Sequence, residues 1–131
     1  MERASAVKWF AMSATVAGFC LAGGVLAAME NLVKGDAVRG KVLYQACEAC
    51  HSIDENDLGP RHRGVVGRAA GSVADYAYST ALKSSGLTWD EATLDRWLTN
   101  PSALVPGTNM FFQLSEAHDR ADIIAYLQLQ K

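Results

Sequence analysis

Cys47-Glu48-Ala49-Cys50-His51 constrains this chain more than any other stretch. Two thiols three residues apart, followed at once by a histidine, form the attachment pattern of a c-type haem. The spacing has a chemical reason. Both sulfurs can add to the vinyl groups along one porphyrin edge as thioethers, and the next residue is then held where its imidazole can bind iron axially. Two other chemistries use paired thiols. A zinc site would need about two further thiolate or imidazole ligands, and the remaining candidates, Cys20, His62 and His118, show no paired spacing. A thioredoxin-like dithiol expects a βαβ context, and no such alternation is visible.

The chain has 131 residues, enough for one domain and too few for two ordinary ones. Arg3 and Lys8 give a weakly positive start, and no charged residue follows from Trp9 to Met29. Val25-Leu26-Ala27-Ala28 then offers the small residues that signal peptidase needs. We therefore read residues 1–28 as a cleaved secretory signal and residues 29–131 as the folded domain. The alternative is a retained membrane anchor over residues 9–29, since roughly 20 apolar residues span a bilayer core. That segment is rich in Ala, Gly, Ser and Thr, however, and only Glu30 to Lys34 separate it from the domain, a tether with little reach. Phe19 before Cys20 argues against lipoprotein processing. Past the signal, Cys47 and Cys50 are the only cysteines, and thirteen Asp and Glu oppose ten Lys and Arg. A net charge of this sign does not suit nucleic-acid binding, which wants a basic stripe.

The patterning beyond residue 35 is all-α, with helices separated by polar, glycine-bearing loops. Gly35-Asp36 precedes a helical segment that delivers Cys47 at its end. Residues 52–74 carry five glycines or prolines and no sustained period. Ser79 to Ser85 reads as a short helix closed by Gly86, a natural left-handed residue after a helix end. Thr88-Trp89-Asp90-Glu91 has capping-box spacing, which predicts Thr88 as N-cap. Leu94, Trp97 and Leu98 follow as an apolar stripe, and Pro101 ends that helix. Residues 102–115 read as loop. Asp119 and Asp122 open a last helix with Ile123, Ile124 and Leu127 on one face.

An iron held by one histidine needs a sixth ligand or keeps a site open for chemistry. Val105-Pro106-Gly107-Thr108-Asn109-Met110 presents the one methionine inside the expected domain, since Met1 and Met12 lie in the signal and Met29 at the new terminus. A thioether is a soft ligand that favours ferrous iron. A methionine beside Phe111 and Phe112 can equally be core packing.

Taken together, these motifs resemble the class I cytochromes c, in the soluble bacterial and mitochondrial-like branch. The resemblance spans nearly all of residues 35–130, in the family's order: Gly40 and Tyr44; Cys47-x-x-Cys50-His51; Gly59-Pro60; Gly64-Val65-Val66-Gly67-Arg68; Tyr76 and Tyr78; Leu87-Thr88-Trp89; Leu98-Thr99-Asn100-Pro101; the Met110 turn; and Arg120 to Leu127. It implies four to five helices wrapped around one covalently bound haem c, with long irregular loops. It also implies thioethers at Cys47 and Cys50 and axial ligation by His51 and Met110. The Pro60 carbonyl would accept the other ring N–H of His51. Arg68, Tyr78, Trp89 and Thr108 would satisfy the haem propionates, and Gly40 and Tyr44 would meet Tyr126 at a helix crossing.

The implied function is one-electron transfer without enzymatic turnover, in the periplasm, between larger redox complexes: an oxidase, a reaction centre, a dehydrogenase or a reductase. A monomer is the default for the family. The alternative is a haem enzyme, or a gas- or peroxide-responsive protein, with a labile sixth ligand. The departures from the family pattern are informative. Trp97 stands where a tyrosine is usual near the methionine sulfur, and Leu82 replaces a common asparagine. Arg61-His62-Arg63 occupies a stretch usually holding an apolar residue and a histidine. Ser102, Ala103 and Asn109 lie where mitochondrial members carry partner-binding lysines. Arg61, Arg63, Arg68 and Lys83 remain as cationic candidates. Leu82, Leu94, Trp97, Leu104, Phe112 and Val66 are the expected apolar surroundings of the iron.

Overall fold

A computed structural model describes residues 33–131, so the expected signal segment lies outside the described residues. The first helix, α1 (Ala37–Leu43), starts because the Asp36 carboxylate accepts the backbone N–H groups of Val38 and Arg39. It tightens into a 3-10 turn over Tyr44–Ala46 that ends at Cys47. Four α-helices follow: α2 (Thr80–Lys83), α3 (Glu91–Thr99), α4 (Pro101–Leu104) and α5 (Ala117–Gln128). Among the described residues the only β-pairing is an isolated antiparallel bridge between Ala69 and Thr88. The fold is the small all-α arrangement that the sequence predicts.

The main packing contact is α1 across α5. Gly40 makes it possible: a Cβ there would lie 1.9 Å from the Asp122 carbonyl oxygen. The Asp122 carboxylate is buried and takes the Asp36 backbone N–H at 2.6 Å, together with the Arg39 guanidinium, which also pairs with Asp119. The Tyr44 ring packs on Tyr126 with centroids 5.1 Å apart. At the other flank of α5, buried Arg120 donates to Asp95 of α3 at 2.7 Å and to the Leu114 and Ser115 carbonyls. A buried guanidinium satisfied by a carboxylate and two carbonyls ties helix to helix without a stranded charge.

Three local readings change. The cap of α3 is Asp90 rather than Thr88, with its carboxylate accepting the Thr93 N–H at 2.7 Å. Thr88 is held in the bridge to Ala69, which keeps it out of the cap. Residues 102–115 are not entirely loop, because Asn100 both ends α3 and caps α4 through the Ala103 N–H at 3.0 Å. The last helix begins two residues before Asp119, at Ala117. The short helix α2 has Ser79 as its N-cap, and Gly86 beyond it takes φ 67°.

Candidate functional site

The sequence-predicted residues converge on one cleft of about 540 Å³. Cys47, Cys50 and His51 reach it from the 3-10 turn and the turn that follows. The His51 N–H bonds back to the Cys47 carbonyl at 2.9 Å, which holds the pentapeptide coiled. Met110 reaches the same cleft from the loop between α4 and α5. Pro60, Arg68, Tyr78, Trp89 and Thr108 also line it.

His51 is tightly bounded. Its Nδ1 lies 2.8 Å from the Pro60 carbonyl oxygen, which leaves Nε2 as the nitrogen free to bind metal. A Cβ on Gly59 would fall 2.2 Å from the ring, so only glycine lets the chain pass this close. Burial pulls the His51 pKa below the ordinary imidazole value, while the Pro60 carbonyl and Asp57 act the other way. The neutral ring is the form that ligates metal. Burial, with Glu48 and Cys50 alongside, pushes the Cys47 thiol up to about 11. Redox dithiols have the opposite setting, an attacking thiol with lowered pKa. Among the described residues no three His, Cys, Asp or Glu side chains are grouped to hold a metal ion. Cys47 and Cys50 therefore have no companions there for a zinc site.

The methionine is anchored from two sides. Buried Thr108 accepts the Met110 backbone N–H at 3.4 Å. The Trp97 indole N–H donates to the Met110 sulfur at 3.1 Å. Trp97 is itself buried and packs on Trp89 with centroids 5.0 Å apart. The departure from tyrosine thus leaves a donor at the sulfur, now one that can only donate. Removing it tests the contact. Trp97→Phe should lower the reduction potential of the loaded protein by up to about 40 mV, the one-electron equivalent of a roughly 1 kcal/mol hydrogen bond. Redox titration of the variant checks this, and an unchanged or raised potential would contradict it.

Arg68 and Trp89 are set by short backbone pairing: Trp89 N–H to the Arg68 carbonyl at 2.9 Å, and Gly67 N–H to the Trp89 carbonyl at 2.8 Å. The Arg68 guanidinium donates to the carbonyls of Arg61 and Arg63, both at 2.9 Å. Burial lowers its pKa from the free value, so it retains a cost that an anion in the cleft would relieve. Burial raises the Tyr78 pKa, against the pull of the Val73 backbone and Arg68.

The apolar lining differs in part from expectation. Leu82, Leu94, Trp97 and Phe112 line the cleft, but Leu104 and Val66 do not; Val65, Leu98, Ile123 and Leu127 take their place. Leu58 and Phe111 stand at the cleft with 75% and 76% of their surfaces exposed, an apolar rim that the sequence did not announce. Of the expected cations, Arg61 pairs with Asp75 at 2.9 Å and Arg63 pairs with Asp54. Lys83 is exposed. His118 is exposed at the start of α5 and stays off the cleft.

The residue that sequence reasoning missed is His62. It lines the cleft and stacks on His51, with ring centroids 4.1 Å apart and planes at 21°. Its Nδ1 lies 2.9 Å from the Tyr44 hydroxyl. Burial, followed by the nearness of His51 and Arg68, pushes its pKa down to about 3. Its place two residues past Pro60 was the available signal, because the Pro60 carbonyl already fixes that loop against His51.

Two thiols, a neutral imidazole, a thioether and a partly buried guanidinium around one apolar cleft form the donor set of a covalently bound haem. The small all-α fold that presents them defines a c-type haem protein. The sequence model of the cytochrome c family matches residues 37–131. The chain is 49% identical over 100 residues to cytochrome c2 of Rhodomicrobium vannielii, covering 73% of this chain and 80% of that one. Among solved structures, cytochrome cH from Methylobacterium extorquens aligns at TM-score 0.70 and 51% identity, over 72% of this chain and 98% of that one. Ferricytochrome c2 from Rhodopseudomonas palustris aligns at TM-score 0.70 and 34% identity, over 73% and 99% respectively. The chain belongs to the cytochrome c family of monohaem electron carriers, which bind one covalent haem c.

Proposed function

We propose that this chain is a periplasmic one-electron carrier whose haem is joined through Cys47 and Cys50 and ligated by His51 and Met110. The observation that carries the reading is that both thiols, the imidazole and the thioether line one apolar cleft. The haem supplies the redox couple when bound. The chain's own residues hold and tune it: Pro60 fixes the His51 tautomer, Thr108 and Trp97 hold Met110, and Arg68, Tyr78 and Trp89 offer charge and hydrogen bonds for the propionates. His51 and Met110 would together hold the iron, so that electrons would pass at the haem edge and no substrate would need to touch iron. The haem-enzyme alternative wants an acid–base pair at the sixth position. His62 is taken up by His51 and Tyr44, and His118 does not line the cleft.

Spectra of the matured protein in both oxidation states, with intact mass, test the proposal. The expected result is haem retained through acid–acetone washing, a sulfur-to-iron charge-transfer band in the ferric protein, and no ready carbon monoxide binding when reduced. Colourless protein after washing, or ready carbon monoxide binding, would overturn it. Export is supported by the charged start, apolar run and small residues of 1–28. Among the described residues no helix is long and apolar enough to cross a membrane. A mature N-terminus at residue 28 or 29 supports cleavage, and an unprocessed chain in the membrane fraction supports the anchor over residues 9–29.

Docking should be weakly electrostatic. Arg61 and Arg63 are neutralised by Asp75 and Asp54, while Leu58 and Phe111 are exposed at the cleft. Raising ionic strength from 0.01 to 0.1 M, which shortens the Debye length from roughly 30 to 10 Å, should change the electron-transfer rate by less than about threefold. A steep fall abolished by Lys83→Gln would contradict this.

A further inference from the structure

We propose that His62 is a positioning residue for His51: a flat ring, anchored by Tyr44, that fixes the rotation of the His51 imidazole and so tunes the iron it holds. The inference rests on the reading of His51 as an axial ligand.

The geometry gives the His51 ring one hydrogen bond, from Nδ1 to the Pro60 carbonyl. That bond sets the tautomer and the position of one ring edge. It leaves the ring able to rock about the nitrogen–oxygen line. A planar surface against the ring stops that motion, and His62 supplies one at 4.1 Å and 21°.

A stack constrains its partner only if it is itself held, and His62 is held in three ways. Its backbone N–H bonds to the Ser52 carbonyl at 2.9 Å, immediately after His51 in the chain, and its carbonyl takes the Val65 N–H at 2.9 Å. Its Nδ1 meets the Tyr44 hydroxyl at 2.9 Å. Tyr44 cannot give way, because the residue is 1% exposed and its ring is wedged between His62 and Tyr126. The α1–α5 crossing therefore reaches His51 through Tyr44 and then His62.

The two polar residues make sense only as a pair. The hydroxyl of buried Tyr44, at the start of the 3-10 turn after α1, needs a partner, and His62 Nδ1 provides it. A leucine at 62 would fill similar space and leave the Tyr44 hydroxyl alone. It would also present methyl groups to His51 in place of a plane. Residues that orient a metal-bound imidazole set its basicity and the electronic character of the metal.

The test uses the mature haem-loaded protein with His62→Leu, Tyr44→Phe and the double substitution. The orientation of an axial imidazole governs how unpaired spin is spread over the ring of ferric haem, so the spread of the shifted haem methyl resonances reads it directly. Two signals of the unsubstituted protein are recorded first: the sulfur-to-iron band, which reports Met110, and the strongly shifted ring protons of an iron-bound imidazole, which report His51.

We expect His62→Leu to change the methyl spread and to raise the reduction potential while keeping that band. A polar ring beside the ligand favours ferric iron, and leucine removes it. Tyr44→Phe should shift the methyl spread in the same direction, and should do nothing further in the His62→Leu background, because residues acting as one unit are non-additive. Methyl spread and potential unchanged in His62→Leu, or an equal effect of Tyr44→Phe in both backgrounds, would overturn the stack while the ligand reading stands. Absence of the shifted imidazole protons in the unsubstituted protein would overturn the ligand reading of His51 and the stack with it. Should His62→Leu fail to mature, Tyr44→Phe decides alone: a shifted methyl spread supports the stack, and an unshifted one overturns it.

Discussion

Met110→Ala should lower the reduction potential by on the order of 0.2 V, a sizeable part of the roughly 0.8 V over which axial ligands set haem potentials. It should also let the reduced protein bind carbon monoxide. The sulfur is a soft donor that favours the ferrous state, and here it receives the Trp97 N–H. Alanine removes the donor atom and leaves space at the sixth position for water or a small ligand. The loop itself should survive the change, because Thr108 is buried and its backbone N–H bonds to the Val105 carbonyl at 3.1 Å, independently of the methionine side chain. Loss of potential should therefore come with retained covalent haem and retained helicity. Redox titration and carbon monoxide difference spectra check both halves. A variant with the parent's potential would remove Met110 from the ligand set, and would return weight to a haem whose sixth position is filled from elsewhere.

The reach of the sequence follows from how local each signal is. The Cys47–His51 pentapeptide needs no tertiary context, because its chemistry lies in its own spacing. The apolar stripe of α3 was legible for a similar reason: Leu94, Trp97 and Leu98 sit at helical intervals, and all three are buried. The cap of that helix was not legible. Thr88 and Asp90 both offer side-chain oxygens, and the choice was made by a distant residue, Ala69, which holds Thr88 in a bridge.

The wall of the cleft shows the same division. Leu82 and Leu94 belong to helices and were placed correctly. In the irregular stretch around Gly64 and Gly67 there is no period to tell Val65 from Val66, and the inward residue is Val65. Arg61 and Arg63 read as available cations because Asp75 and Asp54 are brought to them only by the folded loop. The His51–His62–Tyr44 contact joins three segments, none of which carries a periodic signal that names the other two.

The second large effect concerns stability and should leave the redox properties almost untouched. Gly40→Ala should cost about 4 kcal/mol, at the upper end of single-substitution effects. For a domain of this size that corresponds to a fall in Tm of roughly 20 °C. The reason is local. The added Cβ would stand 1.9 Å from the Asp122 carbonyl oxygen and 2.5 Å from its carbonyl carbon. Both are backbone atoms of α5, so no rotamer change relieves the clash, and the helices must move apart. Separation would also strain the Arg39–Asp122 pair and the hydrogen bond from Asp36 N–H to the same buried carboxylate, leaving Asp122 poorly satisfied, which is itself expensive. Gly40 and Asp122 do not line the cleft, so molecules that remain folded should keep the parent's absorption bands and potential. Thermal unfolding of the ferric protein, followed by circular dichroism alongside a redox titration, separates the two effects. A Tm within a few degrees of the parent's would mean that α1 and α5 can slide past each other at small cost, and that the covalent haem rather than their crossing holds the two ends of the chain together.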